Sequence, residues 1–199
     1  MPKPPNGSPT EARSPFVFDL RELGRRPGAM QEYRRSVPAP AAIGFDLIGV
    51  PDGAPLDLVL RLESVSEGVL VTGTVTAPIA GQCGRCLDPV SDELVVDLVE
   101  LFAYAHSTTD ETTERDEVRR VDSELIDVEP VVHEAVVLAL PLTPLCRPDC
   151  PGLCPDCGEH LAELPDGHTH ETIDPRWAKL AAFTDGGDAA GPGADPQPK

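Results

Sequence analysis

Leu56-Asp57-Leu58-Val59-Leu60-Arg61-Leu62 and Gly68-Val69-Leu70-Val71-Thr72-Gly73-Thr74-Val75-Thr76 carry a period of two. Apolar and polar residues alternate, so each run reads as a strand with one face toward a core and the other toward water. The same pattern starts upstream at Ile43, in Gly44-Phe45-Asp46-Leu47-Ile48-Gly49-Val50, and resumes from Glu93 to Tyr104. Glycine, proline and aspartate punctuate the intervals. Consecutive strands with no helix between them need only tight connections, so residues 43–104 predict an antiparallel meander. Before it, Phe16-Val17-Phe18-Asp19-Leu20 reads as a short strand.

The strand that ends near Ile79 runs into Cys83-Gly84-Arg85-Cys86, which places this pair at the tip of a β-hairpin. The other four cysteines lie in Cys146-x3-Cys150-x3-Cys154-Pro155-Asp156-Cys157-Gly158. Two thiolates two residues apart wrap the backbone around one tetrahedral Zn²⁺ with Zn–S near ~2.3 Å, and a second pair closes a structural site. Gly158 strengthens that reading, since a CPxCG turn needs a residue that tolerates positive φ. Three arrangements compete. Cys83/Cys86 with Cys154/Cys157, and Cys146/Cys150 with Cys154/Cys157, rank ahead of Cys83/Cys86 with Cys146/Cys150, and a two-zinc cluster is a fourth. His160, His168 and His170 read as exposed loop residues, because the thiolates suffice.

Helix follows the sheet. Asp127 is an N-cap for residues 128–140, with Glu129 and Pro130 in the first turn, and positions 128, 131, 132, 135, 138 and 139 form one apolar face. Pro141 and Pro144 end it. A second helix is expected from Asp174-Pro175 through Phe183, with Trp177 and Leu180 packing. Residues 1–13 and 184–199 lack apolar periodicity and read as disordered tails, leaving residues 14–183 as a single domain. The expected class is therefore α+β: an antiparallel meander, a few packed helices, and a cysteine-rich zinc-knuckle segment.

Charge narrows the function. With 16 Lys and Arg against 34 Asp and Glu, the net charge is −18, which argues against coating nucleic acid by charge alone. The basic exception is Arg21 to Arg35, where Arg21, Arg25, Arg26, Arg34 and Arg35 stand against two glutamates. This stretch reads as a solvated loop or helix face, or else as a contact for RNA or a partner. Residues 107–129 carry nine acidic and three basic side chains, a solvated loop or a dock for a basic partner. No basic segment leads into an apolar run of signal length, and the longest apolar run, Ala135 to Leu140, is too short to span a bilayer, so a cytoplasmic protein is expected. In a reducing compartment paired cysteines favour metal over disulfides.

Enzymatic patterns fit poorly. His133 is followed at once by Glu134 with Val137 where a metalloprotease needs histidine, and no proline directly precedes either CxxC pair as a zinc deaminase requires. No glycine-rich phosphate loop or nucleophile elbow is present. A thiol redox pair at Cys83 and Cys86, with Arg85 favouring thiolate, is one alternative, and a zinc-ribbon nucleic-acid-binding module another.

Cys83-Gly84-Arg85-Cys86-Leu87-Asp88-Pro89, then Glu134 to Leu142, then Cys150-Pro151-Gly152-Leu153-Cys154-Pro155-Asp156-Cys157-Gly158 resemble the YceD family of large ribosomal RNA subunit accumulation proteins. Ile173 to Leu180 and Leu23 to Gly28 are similar to that family's two ends. The resemblance implies a role in synthesis, processing or accumulation of 23S rRNA and in large-subunit biogenesis, and the closed cysteine site without a catalytic constellation makes a non-enzymatic assembly factor the expectation. The implied partners are rRNA, a pre-50S particle or a basic ribosomal protein.

Overall fold

The computed structural model describes residues 14–107, 118–170 and 176. The chain divides into two compact units, residues 1–152 and 153–199. The first is mostly antiparallel sheet with a single α-helix among the described residues. Its elements are β1 (Val17–Asp19), β2 (Met30–Pro38), β3 (Ile43–Phe45), β4 (Ile48–Val50), β5 (Pro55–Ser64), β6 (Gly68–Gln82), β7 (Pro89–Ala103), β8 (Leu125–Asp127) and α1 (Glu129–Ala139).

β6 is the spine. Its 15 residues pair along their whole length with β7, while the opposite edge pairs first with β5 and then, at Ala80 and Gly81, with β4. β2 continues the sheet beyond β5, and β3 beyond β4. The period-two pattern buries Leu56, Leu58, Leu60 and Leu62 of β5 together with Val69, Val71, Val75, Ala77 and Ile79 of β6 on one face. Burying each such leucine stabilises the fold by roughly 1.5–3 kcal/mol over leaving it in water. Phe16, Phe18, Ile126, Val128, Val132, Val136 and Leu140 join the same core cluster. The other face stays wet, with Val99 73 % exposed and Thr72 and Asp97 beside solvent.

β1 and β8 form a separate two-stranded sheet, with Phe18 opposite Ile126. Val128 then donates its amide to the Phe16 carbonyl at 3.2 Å, leading directly into α1. The helix touches β7 and β3. Arg119 crosses from the helix to the sheet, 2.6 Å from Glu134 and 3.7 Å from Glu100. Leu140 leaves the helix in an extended conformation, as a residue before proline prefers.

Several expectations need correction. One α-helix stands among the described residues where a few were expected, and the helix read from Asp174 to Phe183 lies outside them, Arg176 excepted. The tails and residues 108–117 of the acidic stretch also lie outside. Gly44 to Val50 is two short strands, because Asp46 and Leu47 make the turn of a β3–β4 hairpin. The second half of the arginine cluster is neither loop nor helix but strand β2, paired from Met30↔Glu63 to Pro38↔Pro55. Val128 occupies the N-cap position of α1, and Asp127 stands one residue earlier, its carboxylate accepting from the Glu129 amide at 2.9 Å. On that helix Val136 turns inward, as does Leu140 just past its end, whereas Leu138 is 86 % exposed.

Candidate metal centre

Cys83 and Cys86 sit where expected, in the six-residue connection between β6 and β7. The connection is a tight turn. Cys83 donates its amide to the Asp88 carbonyl at 2.8 Å, Leu87 donates to the Cys83 carbonyl at 2.9 Å, and Leu87 takes φ 64°. This geometry points both sulfurs to the same side of the turn, and the Arg85 amide approaches the Cys83 sulfur at 3.5 Å.

The segment that follows α1 comes back to this tip. Gly84 donates to the Pro144 carbonyl at 2.8 Å, which brings Cys146 and Cys150 onto the hairpin pair. Cys83 Sγ lies 3.8 Å from Cys150 Sγ, and Cys86 Sγ lies 3.5 Å from Cys146 Sγ. All four sulfurs fall within 4.8 Å of one another. A disulfide would require about 2.05 Å between sulfurs. Four sulfurs about 2.3 Å from a shared tetrahedral ion stand about 3.75 Å apart, so the observed separations fit a four-thiolate cage. Cys83, Cys86 and Cys150 are buried and Cys146 is exposed.

The electrostatics of the cluster suit a cation. Burial opposes the Cys83 thiolate, yet the backbone amides of Cys146, Cys86 and Arg85 outweigh it and bring this thiol down to about 6. At Cys86 the Asp88 amide favours thiolate, but burial, the Asp88 carboxylate and the sulfurs of Cys83 and Cys146 push the thiol up. Cys146 gains from its contact with Cys86 and is nevertheless raised, by burial and by Cys150 and Cys83. One negative charge is welcome in this cluster and further ones repel it. A divalent cation removes that repulsion.

Of the six sequence-predicted ligands, then, Cys83, Cys86, Cys146 and Cys150 come together. In the second unit Cys154 and Cys157 stand with His168 and His170, their ligand atoms within 4.8 Å of one another. The sequence alone sets these histidines aside as exposed loop residues because four thiolates already suffice, whereas the structure brings His168 and His170 to the knuckle. The available signal was His168-Thr169-His170, two imidazoles one residue apart shortly after a CxxC knuckle.

The five arginines fare differently. Arg21 is held by Asp19, with Nε 2.9 Å from Oδ1. Arg25 pairs with Glu124 and covers the Tyr104 ring at 5.0 Å. Arg35 lies 4.0 Å over the Phe18 ring and donates to the Pro15 carbonyl at 3.0 Å. Arg26 and Arg34 are exposed, and their side chains make no ion pair or hydrogen bond with any of the described residues.

The family profile described as "Large ribosomal RNA subunit accumulation protein YceD" matches residues 71–184, more than half of the chain and all six cysteines. The chain belongs to the YceD family. Its relatives include an uncharacterised protein of Mycobacterium tuberculosis, 62 % identical over 84 % of this chain and 80 % of that protein. A Mycobacterium leprae protein is 52 % identical over 84 % of this chain and 76 % of its own length. Bacillus subtilis YlbN is 27 % identical over 64 % of this chain and 73 % of its own length. No solved structure matches. Among the described residues no helix is long and apolar enough to cross a membrane.

Proposed function

We propose that this protein is a non-enzymatic, cytoplasmic factor for the accumulation of 23S rRNA and the biogenesis of the large ribosomal subunit, braced by a structural Zn²⁺ on Cys83, Cys86, Cys146 and Cys150. Membership of the YceD family carries the functional part of this reading. The four-sulfur cage, with separations of 3.5 and 3.8 Å, supports the metal. Zinc suits it because a closed set of four thiolates leaves no open position for substrate or water. Bound there, the ion ties the β6–β7 tip to the segment after α1 across 60 residues of chain. Sites of this kind contribute on the order of 10 kcal/mol gross to folding.

The partner is rRNA, a pre-50S particle or a basic ribosomal protein. Of the five arginines of the cluster, Arg26 and Arg34 are available for RNA, and the acidic stretch around residues 107–129 suits a basic protein. Depletion of the protein tests the reading: 23S rRNA and 50S subunits should both fall, and normal levels of both would refute it. Capture of the full chain from cells, with RNA and protein both identified, separates the two partner classes.

The lowered Cys83 thiol beside Cys86 favours one second reading, a CxxC redox pair. It requires both thiols to react in the purified, reduced protein. A filled four-thiolate site keeps them inert until a chelator is added.

A further inference from the structure

We propose that the segment from Leu153 to His170 is a second, independent metal module, in which Cys154, Cys157, His168 and His170 bind one divalent cation of borderline softness, Zn²⁺ by preference. The first support is geometric repetition. Cys154 donates its amide to the Glu159 carbonyl at 2.8 Å, Gly158 donates to the Cys154 carbonyl at 2.9 Å, and Gly158 takes φ 75°. Residue for residue this is the turn at Cys83, with Glu159 in the place of Asp88 and Gly158 in the place of Leu87. The fold thus builds the same sulfur-presenting knuckle twice, and the first one already has its two partner thiols.

The second support is what faces this knuckle. His168 Nε2 lies 3.6 Å from Cys157 Sγ, close to the ~3.55 Å that separates sulfur from nitrogen on a tetrahedral ion with usual bond lengths. His170 Nε2 lies 2.7 Å from His168 Nε2, and the rings meet edge to face at 84°. That separation is a hydrogen bond between two imidazoles, about 0.6 Å shorter than two nitrogens on one zinc ion. A small rotation of the half-buried His168 ring and the exposed His170 ring therefore opens the pair around a cation. The His168 amide donates to Pro165 at 3.1 Å and Gly167 takes φ 81°, so the chain reverses to aim both rings back at the sulfurs.

The third support is the want of an apolar core among the described residues of this segment. Of its described side chains only that of Cys154 is buried, and none belongs to the hydrophobic core cluster. A stretch this short without a core needs a disulfide, a metal or a partner to stay folded. Two sulfurs and two imidazoles on one ion are a standard structural zinc set.

The test uses the full-length reduced chain, metal content by elemental analysis, and cobalt(II) in place of zinc for spectroscopy. The parent chain should bind two equivalents. His168→Gln with His170→Gln, and separately Cys154→Ser with Cys157→Ser, should each bind one. The cobalt spectrum lost in both variants should be of mixed sulfur and nitrogen type, and the one retained should be sulfur-only. One equivalent in the parent chain with only the sulfur-only spectrum, a second equivalent that survives loss of both histidines, or a lost spectrum of sulfur-only type would each overturn the proposal. Failure of the Cys83 centre would show separately, as loss of the sulfur-only spectrum from the parent chain with the mixed one intact.

Discussion

The Arg85 guanidinium donates a 2.8 Å hydrogen bond to the carbonyl of Cys150, 65 residues away in the chain. One residue of the hairpin knuckle thereby fixes the backbone that supplies the opposite sulfur. Gly152 sits close by, where an added Cβ would lie 3.1 Å from the Arg85 carbonyl. Arg85→Ala should lower the stability of the metal-free chain by about 1 kcal/mol, the usual size for a partly exposed bond from a charged donor. With metal bound, the four ligands hold the same geometry and the loss should shrink. Denaturant unfolding with and without zinc measures both numbers, and an equal loss in the two states would contradict the preorganising role.

Ionisation of the cluster should be uneven. Cys83 has a folded value of about 6 against an ordinary 9.0, so its contribution to stability is fully present above pH 9 and is lost as pH falls from 9 to 6. Cys86 and Cys146, both raised, work in the opposite sense: they favour the folded state below pH 9 and lose that contribution as pH rises through their own values. In the metal-free protein, thiolate absorbance should show a step near pH 6 that is missing in Cys83→Ser. Metal uptake at pH 7 by this site should release fewer than four protons, since that of Cys83 is already gone. Calorimetry in buffers of different ionisation enthalpy counts them, and a release of four would rule the assignment out.

Legibility in the sequence followed burial. β5, β6 and β7 alternate because one of their faces is in the core and the other in water, and their presence and the hairpin tip at Cys83 were readable from that, although β6 runs on to Gln82 and β7 begins already at Pro89. β2 was not, because it is an edge strand on which Val37 is the one fully buried apolar residue before Ala39. Gln31-Glu32-Tyr33-Arg34-Arg35 has nothing apolar to alternate except Tyr33. β8 is three residues long in an acidic stretch, and its pairing with β1 spans about 100 residues, beyond any local pattern. The cysteines pointed to a metal site through spacing, but spacing is the same whichever pairs meet. What selects Cys146 and Cys150 for the hairpin is the path of the chain after α1, fixed by the bond from Gly84 to Pro144.

Gly73 shows how closely the central strands approach. It takes φ 154° opposite Leu60, and a Cβ built there would lie 2.1 Å from the carbonyl oxygen of Val59. That neighbour is backbone and has no rotamer to change. Gly73→Ala must therefore separate β5 from β6 locally or shift the register, at a cost of about 2–4 kcal/mol. Gly53→Ala is the control for positive φ alone, since Gly53 has open space around it at φ 69°. It should cost about 1 kcal/mol. Thermal unfolding of the two variants ranks them, and a Gly73 variant no less stable than the Gly53 one would mean that the close approach is not a constraint.

The arginine cluster should separate into residues that hold the fold and residues that are free to hold a partner. Arg35 lies against Phe18 and reaches the carbonyls of Pro15 and Val17, at 3.0 and 3.3 Å, so it clamps the chain around β1 onto β2. Arg35→Ala should cost about 1–2 kcal/mol through the lost ring contact and hydrogen bonds. Arg26 and Arg34 touch nothing comparable, so the double variant Arg26→Ala with Arg34→Ala should unfold within about 0.5 kcal/mol of the parent. If the partner is RNA, that same double variant should bind more weakly and lower the slope of log affinity against log salt by roughly 1.4, near 0.7 for each phosphate contact to a single strand. Unchanged affinity and slope in the double variant would remove this surface from RNA recognition. A loss in Arg35→Ala that tracks its unfolding would then be an effect of the fold.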